Sequence, residues 1–181
     1  MGPLGCSLPS ESDQANAALY LALATAAVLL FFRRPSRNFS WEEMTTTQTG
    51  LDNSPGLEDR VRLIMLARQV LQPLRDHFGP ITVTSAFRSP EVNAAIPHSA
   101  EDSDHLRASA ADIFGPPGVT AEDLAAWLYY QPNIPLSQVI IEPTGHLHVS
   151  RVNREGKSPR QFLIFPTWST SRPWTPAGAI S

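Results

Sequence analysis

An apolar run near the N-terminus divides this chain of 181 residues into two unlike parts. The run extends from Ala15 to Phe32, carries no charge, and has only Asn16 and Thr25 as polar interruptions. A helix of about 20 apolar residues, with ~17 as the lower limit, spans the hydrocarbon core of a bilayer. The run therefore predicts one membrane-spanning helix at residues 15–33. A cleaved signal peptide and a buried helix of a soluble protein are the two alternatives.

The charged residues beside this run favour the membrane anchor. Glu11 and Asp13 precede the run, and Arg33, Arg34 and Arg37 follow it. A signal peptide carries basic residues before its apolar segment, which is the opposite arrangement. By the positive-inside rule, the residues after the run would face the cytoplasm.

The composition narrows the functions that the rest of the chain can serve. About 130 residues remain for a folded unit, which is enough for one domain. The net charge of −3 leaves no basic surplus for phosphate groups, so nucleic acid is not an expected partner. Cys6 is the only cysteine, which excludes a disulfide framework and a cysteine zinc site. A metal would need His, Asp or Glu ligands.

Periodicity and turn signals predict the organisation of the chain. Apolar residues at intervals of three and four predict a helix over 56–78 that Gly79 ends, and capping-box patterns at Ser40 and Thr120 predict two further helix starts. A brief helix is predicted at 91–96, and strands at 81–85, 108–114, 139–141, 147–149 and 162–164. This pattern indicates an α+β fold with a small, mainly antiparallel sheet and flanking helices. The predicted segments are a polar segment at 1–14, the membrane helix at 15–33, a linker and entry segment at 34–55, the main domain at 56–166 and an irregular tail at 167–181.

Three residues form a candidate metal site. His146 and His148 are two positions apart, so on a strand they point to the same face; alone, such a pair is more typical of a protein surface. Asp112 lies in an apolar strand, where a buried carboxylate needs a cation or strong hydrogen bonds. With His105 added, two imidazoles and a carboxylate could hold zinc and leave the fourth position for water.

The same residues carry a resemblance to a known family. The stretch from Ser103 to Asp112, followed by His146-Leu-His148-Val-Ser150, resembles the zinc-binding pattern of the M15 peptidases. That pattern is a histidine, an aspartate seven positions later and a second histidine on a later strand, which here are His105, Asp112 and His148. The segments 38–42 and 83–90 resemble the M15A branch. The family comprises D-alanyl-D-alanine carboxypeptidases, dipeptidases and phage endolysin peptidases.

The resemblance implies a zinc metallopeptidase of D,D-carboxypeptidase or endopeptidase type, which acts on peptidoglycan stem peptides in bacterial cell-wall degradation or remodelling, or in a bacteriophage. It also implies that Arg88 binds the substrate, since a guanidinium fork fits a carboxylate, with Ser85 and Ser103 as further substrate contacts. Alternatively, Arg88 pairs with a nearby acid and the serines cap turns. His77 and His98 are expected to lie outside the site.

The chain departs from the family pattern at two positions. The family usually has glycine three residues after the first histidine, where this chain has Ala108, and an acid or histidine three residues before the last ligand, where this chain has Gly145. Glu142 or His146 would then be the general base, with Glu142 favoured as a carboxylate that accepts a proton from water. Without a working base, the alternative is a non-catalytic zinc-containing module that binds peptidoglycan or builds a virion. A zinc amidase acting on another peptide is a third possibility.

Overall fold

The computed structural model describes residues 10–152, 160–167 and 170–177. Helix α1, Glu11–Phe32, contains the apolar run and begins with a capping box between Ser10 and Asp13. Its best 18-residue window has a mean hydropathy of 2.0, and none of its residues is buried. The helix is long and apolar enough to cross a membrane, a test that a signal sequence or a soluble core helix would also pass. Most of the polar segment predicted at 1–14 lies outside the described residues.

The unit from Arg34 onward is an α+β domain, as predicted. Its elements are α2 Trp41–Thr45, α3 Leu57–Leu66, α4 Gln72–Phe78, β1 Thr82–Ser85, α5 Pro90–Ala95, β2 Ala110–Phe114, α6 Ala121–Tyr129, β3 Leu136–Ile141, β4 Leu147–Arg151, β5 Gln161–Thr167 and β6 Thr170–Pro173. The strands form one sheet in the order β1-β2-β4-β3-β5-β6. Neighbouring strands are antiparallel except β3 and β5, which are parallel.

The helix predicted over 56–78 is confirmed, with a local change of winding. A π-helical segment, Ala67–Leu71, joins α3 to α4. Pro73 follows this segment and has no amide hydrogen to donate to the preceding turn. Segments of π-helix are rare and occur mostly as single turns inside α-helices. Gly79, with a φ of 90°, ends the helix as expected.

Both predicted capping boxes are confirmed. The Ser40 hydroxyl accepts a hydrogen bond from the Glu43 amide at 3.1 Å, and the Glu43 carboxylate accepts one from the Ser40 amide at 2.8 Å. Thr120 and Asp123 make the same reciprocal pair at 3.1 and 2.8 Å. These bonds satisfy amides that have no partner within the helix, so α2 and α6 begin where the sequence predicts.

The two faces of the sheet differ in chemistry. One face belongs to the hydrophobic core, and its buried side chains include Ala111, Ile113, Val139, Ile141, Leu147, Val149 and Phe162. Alternate residues point to the other face. There Asp112 is paired in register with His148, which is paired on its other side with Ile140. The sheet therefore places an acid and a histidine side by side, away from the core.

The prediction of an irregular tail is wrong for residues 170–173. They form the edge strand β6, antiparallel to β5. Pro173 ends this strand, and an edge strand tolerates proline because its outer side needs no ladder hydrogen bond. Trp174 then donates its amide hydrogen to the Phe162 carbonyl at 2.9 Å, and the two rings stack with centroids 6.3 Å apart. Residues 168–169 and 178–181 of the predicted tail lie outside the described residues.

Candidate metal centre and active-site cavity

Three side chains converge at one point on the polar face of the sheet. The distances are 3.2 Å from His105 Nε2 to Asp112 Oδ1, 3.2 Å from His105 Nε2 to His148 Nδ1, and 2.9 Å from His148 Nδ1 to Asp112 Oδ1. Strands β2 and β4 supply Asp112 and His148, and the turn before β2 supplies His105. His105 and Asp112 are buried, and His148 is partly buried.

The triangle of atoms fits a tetrahedral zinc ion. With metal–ligand bonds of about 2.0–2.1 Å, two ligand atoms of a tetrahedral site lie about 3.3 Å apart. The three observed distances, 2.9 to 3.2 Å, are close to this value. Two imidazoles and one carboxylate are also a ligand set that leaves one position open. The donor set and its spacing therefore suit zinc.

His105 is oriented by its second ring nitrogen. Nδ1 lies 2.6 Å from the Ala86 carbonyl oxygen, so Nδ1 carries the hydrogen and the lone pair of Nε2 points into the site. Burial lowers the pKa of His105, although the charge of Asp112 opposes the shift. A neutral imidazole is the form that ligates a metal.

Asp112 uses its two oxygens for different partners. Burial by itself would raise the pKa of Asp112, but the neighbouring His105 and His148 hold it well below the usual range. Oδ2 accepts a hydrogen bond from Arg88 Nη2 at 2.5 Å, while Oδ1 faces the two histidines. The carboxylate is thus ionised and held from both sides.

Arg88 pairs with the nearby acid, as one of the two sequence interpretations expects. Its Nε donates to Ser85 Oγ at 2.8 Å, and its Nη2 to Asp112. Among the described residues, Nη1 has no hydrogen-bond partner, and Arg88 lines the cavity beside the metal centre. Ser85 therefore acts on the site through Arg88, whose remaining nitrogen can bond a substrate oxygen.

Asn53 holds the backbone on both sides of Arg88, a role that the sequence did not indicate. Its side-chain nitrogen donates to the Phe87 carbonyl at 2.8 Å and to the Thr45 carbonyl at 2.9 Å. Its side-chain oxygen accepts from the Ser89 amide at 2.7 Å. Asn53 is buried, so the segment predicted as a linker supports the site.

A cavity of about 360 Å³ opens beside the three candidate ligands. Both candidates for the general base, Glu142 and His146, line it together with Arg88 and Ser103. Ser103 also accepts a hydrogen bond from the His105 amide at 3.3 Å. The candidate site residues predicted from the sequence therefore lie around one cavity, except Ser85, which contacts Arg88 instead of lining the cavity.

The turn between β3 and β4 has a backbone conformation that suits glycine at position 145. Glu142 donates its amide hydrogen to the His146 carbonyl at 3.1 Å, and Gly145 donates to the Glu142 carbonyl at 2.9 Å. This tight turn holds Gly145 at a φ of 83°, which glycine adopts without steric cost. The same turn brings Glu142 and His146 to the cavity from its two ends.

Glu142 and His146 have different surroundings. None of the described residues hydrogen-bonds the Glu142 carboxylate, and partial burial raises its pKa. His146 Nδ1 is hydrogen-bonded with Thr144 Oγ1, and its Nε2 lies 3.9 Å from Asp112 Oδ1. Burial lowers the pKa of His146. The Glu142 carboxylate can therefore accept a hydrogen bond from a water molecule without losing a bond to another described residue.

The residues that the sequence does not place at the cavity include His98 and Phe165. His98, expected outside the site, lines the cavity from the loop after α5 and has a φ of 63°. Phe165 lines it from β5. A loop path and a strand pairing depend on distant contacts, so no local signal could have found either residue. His77 instead stacks on Trp127, with ring centroids 4.9 Å apart.

Ala108 occupies a left-handed backbone conformation. Its φ is 52°, its side chain is fully buried, and its amide donates to the His105 carbonyl at 3.1 Å. For a residue other than glycine this conformation costs about 1–2 kcal/mol. The turn that presents His105 therefore has the geometry for which the glycine usual in the family is suited.

Comparison with protein families agrees with this geometry. A family model described as Peptidase M15 matches residues 37–150, which is more than half of the chain. The protein therefore belongs to the peptidase M15 family, and the resemblance seen in the sequence is confirmed. The match includes His105, Asp112 and His148 and ends before β5. A search of curated proteins returned no match.

Proposed function

We propose that this protein is a zinc peptidase that hydrolyses peptide bonds in bacterial peptidoglycan stem peptides, in the degradation or remodelling of the cell wall. The observation that carries the proposal is the triangle of His105, Asp112 and His148 beside a cavity that Glu142 also lines. Zinc held by this triangle would polarise the scissile carbonyl and lower the pKa of a water molecule to about 7.

Glu142 takes the role of general base in this proposal. Its carboxylate lies in the cavity without a hydrogen-bond partner among the described residues, so it can accept the proton of the attacking water. A raised pKa strengthens it as a base near neutral pH. The same carboxylic acid then donates the proton to the leaving amine.

His146 is the second candidate for this role. Its Nδ1 is engaged in the hydrogen bond with Thr144, and its Nε2 lies 3.9 Å from Asp112 Oδ1. From that position we assign His146 to a hydrogen bond with the substrate rather than to proton transfer. Arg88 contributes Nη1 to a substrate carboxylate or to the carbonyl oxygen as it becomes negative, and the Ser103 hydroxyl offers a further substrate contact.

One observation favours a second function, a zinc-containing module without activity. The position where the family usually carries its acid is Gly145, held at a φ of 83° in a tight turn. If Glu142 and His146 were both misplaced for proton transfer, the domain would still bind zinc and peptidoglycan, as a wall-binding or virion module.

The test compares zinc content with turnover. The full chain, purified in detergent, is loaded with zinc, its metal content is measured by mass spectrometry, and its action on purified muropeptides is followed by chromatography. One zinc per chain with cleaved stem peptides is expected, and the product masses distinguish a carboxypeptidase from an endopeptidase. Bound zinc without turnover would favour the non-catalytic module, and a chain that binds no zinc would contradict both functions.

The membrane attachment of the protein through α1 is also part of the proposal. The helix has a mean hydropathy of 2.0 over its best window and no buried residue, as expected of an anchor. The arginines that follow it predict a cytoplasmic domain, whereas peptidoglycan lies outside the inner membrane. A phage enzyme held inside until lysis, a virion membrane or an inverted orientation would reconcile the two. Protease accessibility in spheroplasts distinguishes them, since a protected domain excludes the periplasmic side.

A further inference from the structure

The active-site cavity has an aromatic wall that comes from outside the family match. Phe165, on β5, lines the cavity together with the candidate catalytic residues, whereas the match to Peptidase M15 ends at residue 150. Strand β5 lies next to β3 in the sheet, and β3 leads into Glu142. This part of the cavity therefore depends on a strand that lies beyond the matched residues.

The register of the sheet explains why Phe165 reaches the cavity. Strands β3 and β5 run parallel, with Ile140 opposite Leu163 and Ile141 opposite Ile164. Continued by one residue, this register sets Phe165 beside Glu142. Because alternate residues of a strand share a face, Ile164 points to the opposite side, where it packs against the hydrophobic core. The side chains of Ile164 and Phe165 are thus adjacent in sequence but lie on opposite faces of the sheet.

The cavity is small enough for one ring to matter. Its volume is about 360 Å³, near the lower end of the roughly 300–1,000 Å³ found for ligand pockets. Ile96, Pro97 and Ile140 give it further apolar lining. An apolar wall of this kind selects substrate side chains by size. One extra or missing methylene group changes kcat/KM by about 10- to 200-fold.

We propose that Phe165 is a specificity-determining residue, whose ring limits the substrate side chain next to the scissile bond to a small aliphatic group. This inference rests on the proposed peptidase function. It assigns to β5 a direct part in substrate choice, in addition to its structural part in the sheet.

The experiment uses the zinc-loaded full chain in detergent and two sets of stem peptides. In one set the residues beside the scissile bond are alanine, and in the other one of them is replaced by leucine or phenylalanine. Phe165→Ala is expected to raise kcat/KM for the bulky peptides relative to the alanine peptides by about tenfold or more. Phe165→Trp should lower kcat/KM even for the alanine peptides.

Ile164→Ala is the matched control, since it removes a neighbouring apolar side chain on the core side. It should lower the unfolding temperature and leave the ratio between bulky and small peptides unchanged. The inference is overturned if Phe165→Ala changes kcat/KM for both sets by the same factor, as a purely structural role would.

A binding measurement separates this inference from the proposed function. Dissociation constants of the same peptides are measured by calorimetry in a Glu142→Gln background, with and without Phe165→Ala. If the parent chain cleaves no peptide, the proposed function fails, but tighter binding of the bulky peptides on loss of the ring still supports the role of Phe165. If the dissociation constants of the bulky peptides are equal with and without Phe165→Ala, the role of Phe165 is rejected.

Discussion

Arg88, which is partly buried, and the buried Asp112 form an ion pair in which Nη2 lies 2.5 Å from Oδ2 while Oδ1 of the same carboxylate faces His105 and His148. The pair joins the residue predicted to bind the substrate to a residue predicted to bind the metal. Ser85 holds Nε of Arg88 at 2.8 Å, which fixes the plane of the guanidinium. A substitution of Arg88 should therefore affect the candidate metal site as well as substrate binding.

Replacing Arg88 by alanine should destabilise the zinc-free protein more than the zinc-bound protein. Breaking a buried ion pair by removing one partner typically costs about 3–5 kcal/mol, because the remaining charge is uncompensated. Zinc would compensate the Asp112 carboxylate, so zinc should raise the unfolding temperature more in Arg88→Ala than in the parent. Thermal unfolding with and without zinc measures the difference.

The control for this prediction is Arg62→Ala. Arg62 pairs with the exposed Glu58 at 2.6 Å, and the loss of such a pair should cost less than about 1 kcal/mol in either state. An equal loss of stability in the zinc-free and zinc-bound forms of Arg88→Ala would show that Arg88 does not act through the Asp112 carboxylate.

Zinc should stabilise the folded chain, and Asp112→Ala should remove the effect. A ligand that binds only the native state, at a free concentration 1,000 times its dissociation constant, adds about 4 kcal/mol to the free energy of unfolding. Chelation followed by titration with zinc, read out as unfolding temperature, tests this. Glu91→Ala, at an exposed position of α5, should respond to zinc like the parent, and a full zinc response in Asp112→Ala would refute the proposed ligand set.

Glu142→Gln should lower kcat by about 10²- to 10⁴-fold and leave the zinc content unchanged, because it removes proton acceptance and keeps the shape of the side chain. His146→Asn should cause a smaller loss. Rates on one muropeptide, together with metal analysis, measure both effects. Glu122→Gln, at an exposed position of α6, serves as the control, and a larger loss in His146→Asn than in Glu142→Gln would transfer the role of base to His146.

Ala108→Gly should keep the stability of the parent within about 1 kcal/mol. Relief of the left-handed conformation gains about 1–2 kcal/mol, while the lost burial of a methyl group, about 0.8 kcal/mol, and the greater freedom of the unfolded chain, about 0.4–1 kcal/mol, offset it. Ala108→Val, in contrast, places a β-branched residue at a φ of 52° and should cost more than about 2 kcal/mol. Unfolding temperatures compare the two variants, and a Val variant as stable as the parent would contradict the strained turn.

Local signals account for the parts of the fold that could be read from the sequence. The capping boxes at Ser40 and Thr120 and the spacing of apolar residues over 56–78 involve residues within one or two helical turns of each other. Composition predicts the strands β1 to β5, and the α+β class follows from the order of helices and strands along the chain, whereas β6 lies in a segment predicted to be irregular. Parallel pairing of β3 with β5 was not readable, because it joins segments whose contact depends on the whole sheet.

In the candidate site, too, some features can be read from the sequence and others depend on the fold. The apolar helix, the family and the candidate ligand set of His105, Asp112 and His148 can be read from the sequence, since each depends on residue type and spacing along the chain. The ion pair of Arg88 with Asp112 emerges only in the folded domain. The same holds for the positions of His98 and Phe165, which a loop and β5 bring to the cavity. Strand register and loop path set these contacts, and both depend on the packing of the whole domain rather than on any short stretch of sequence.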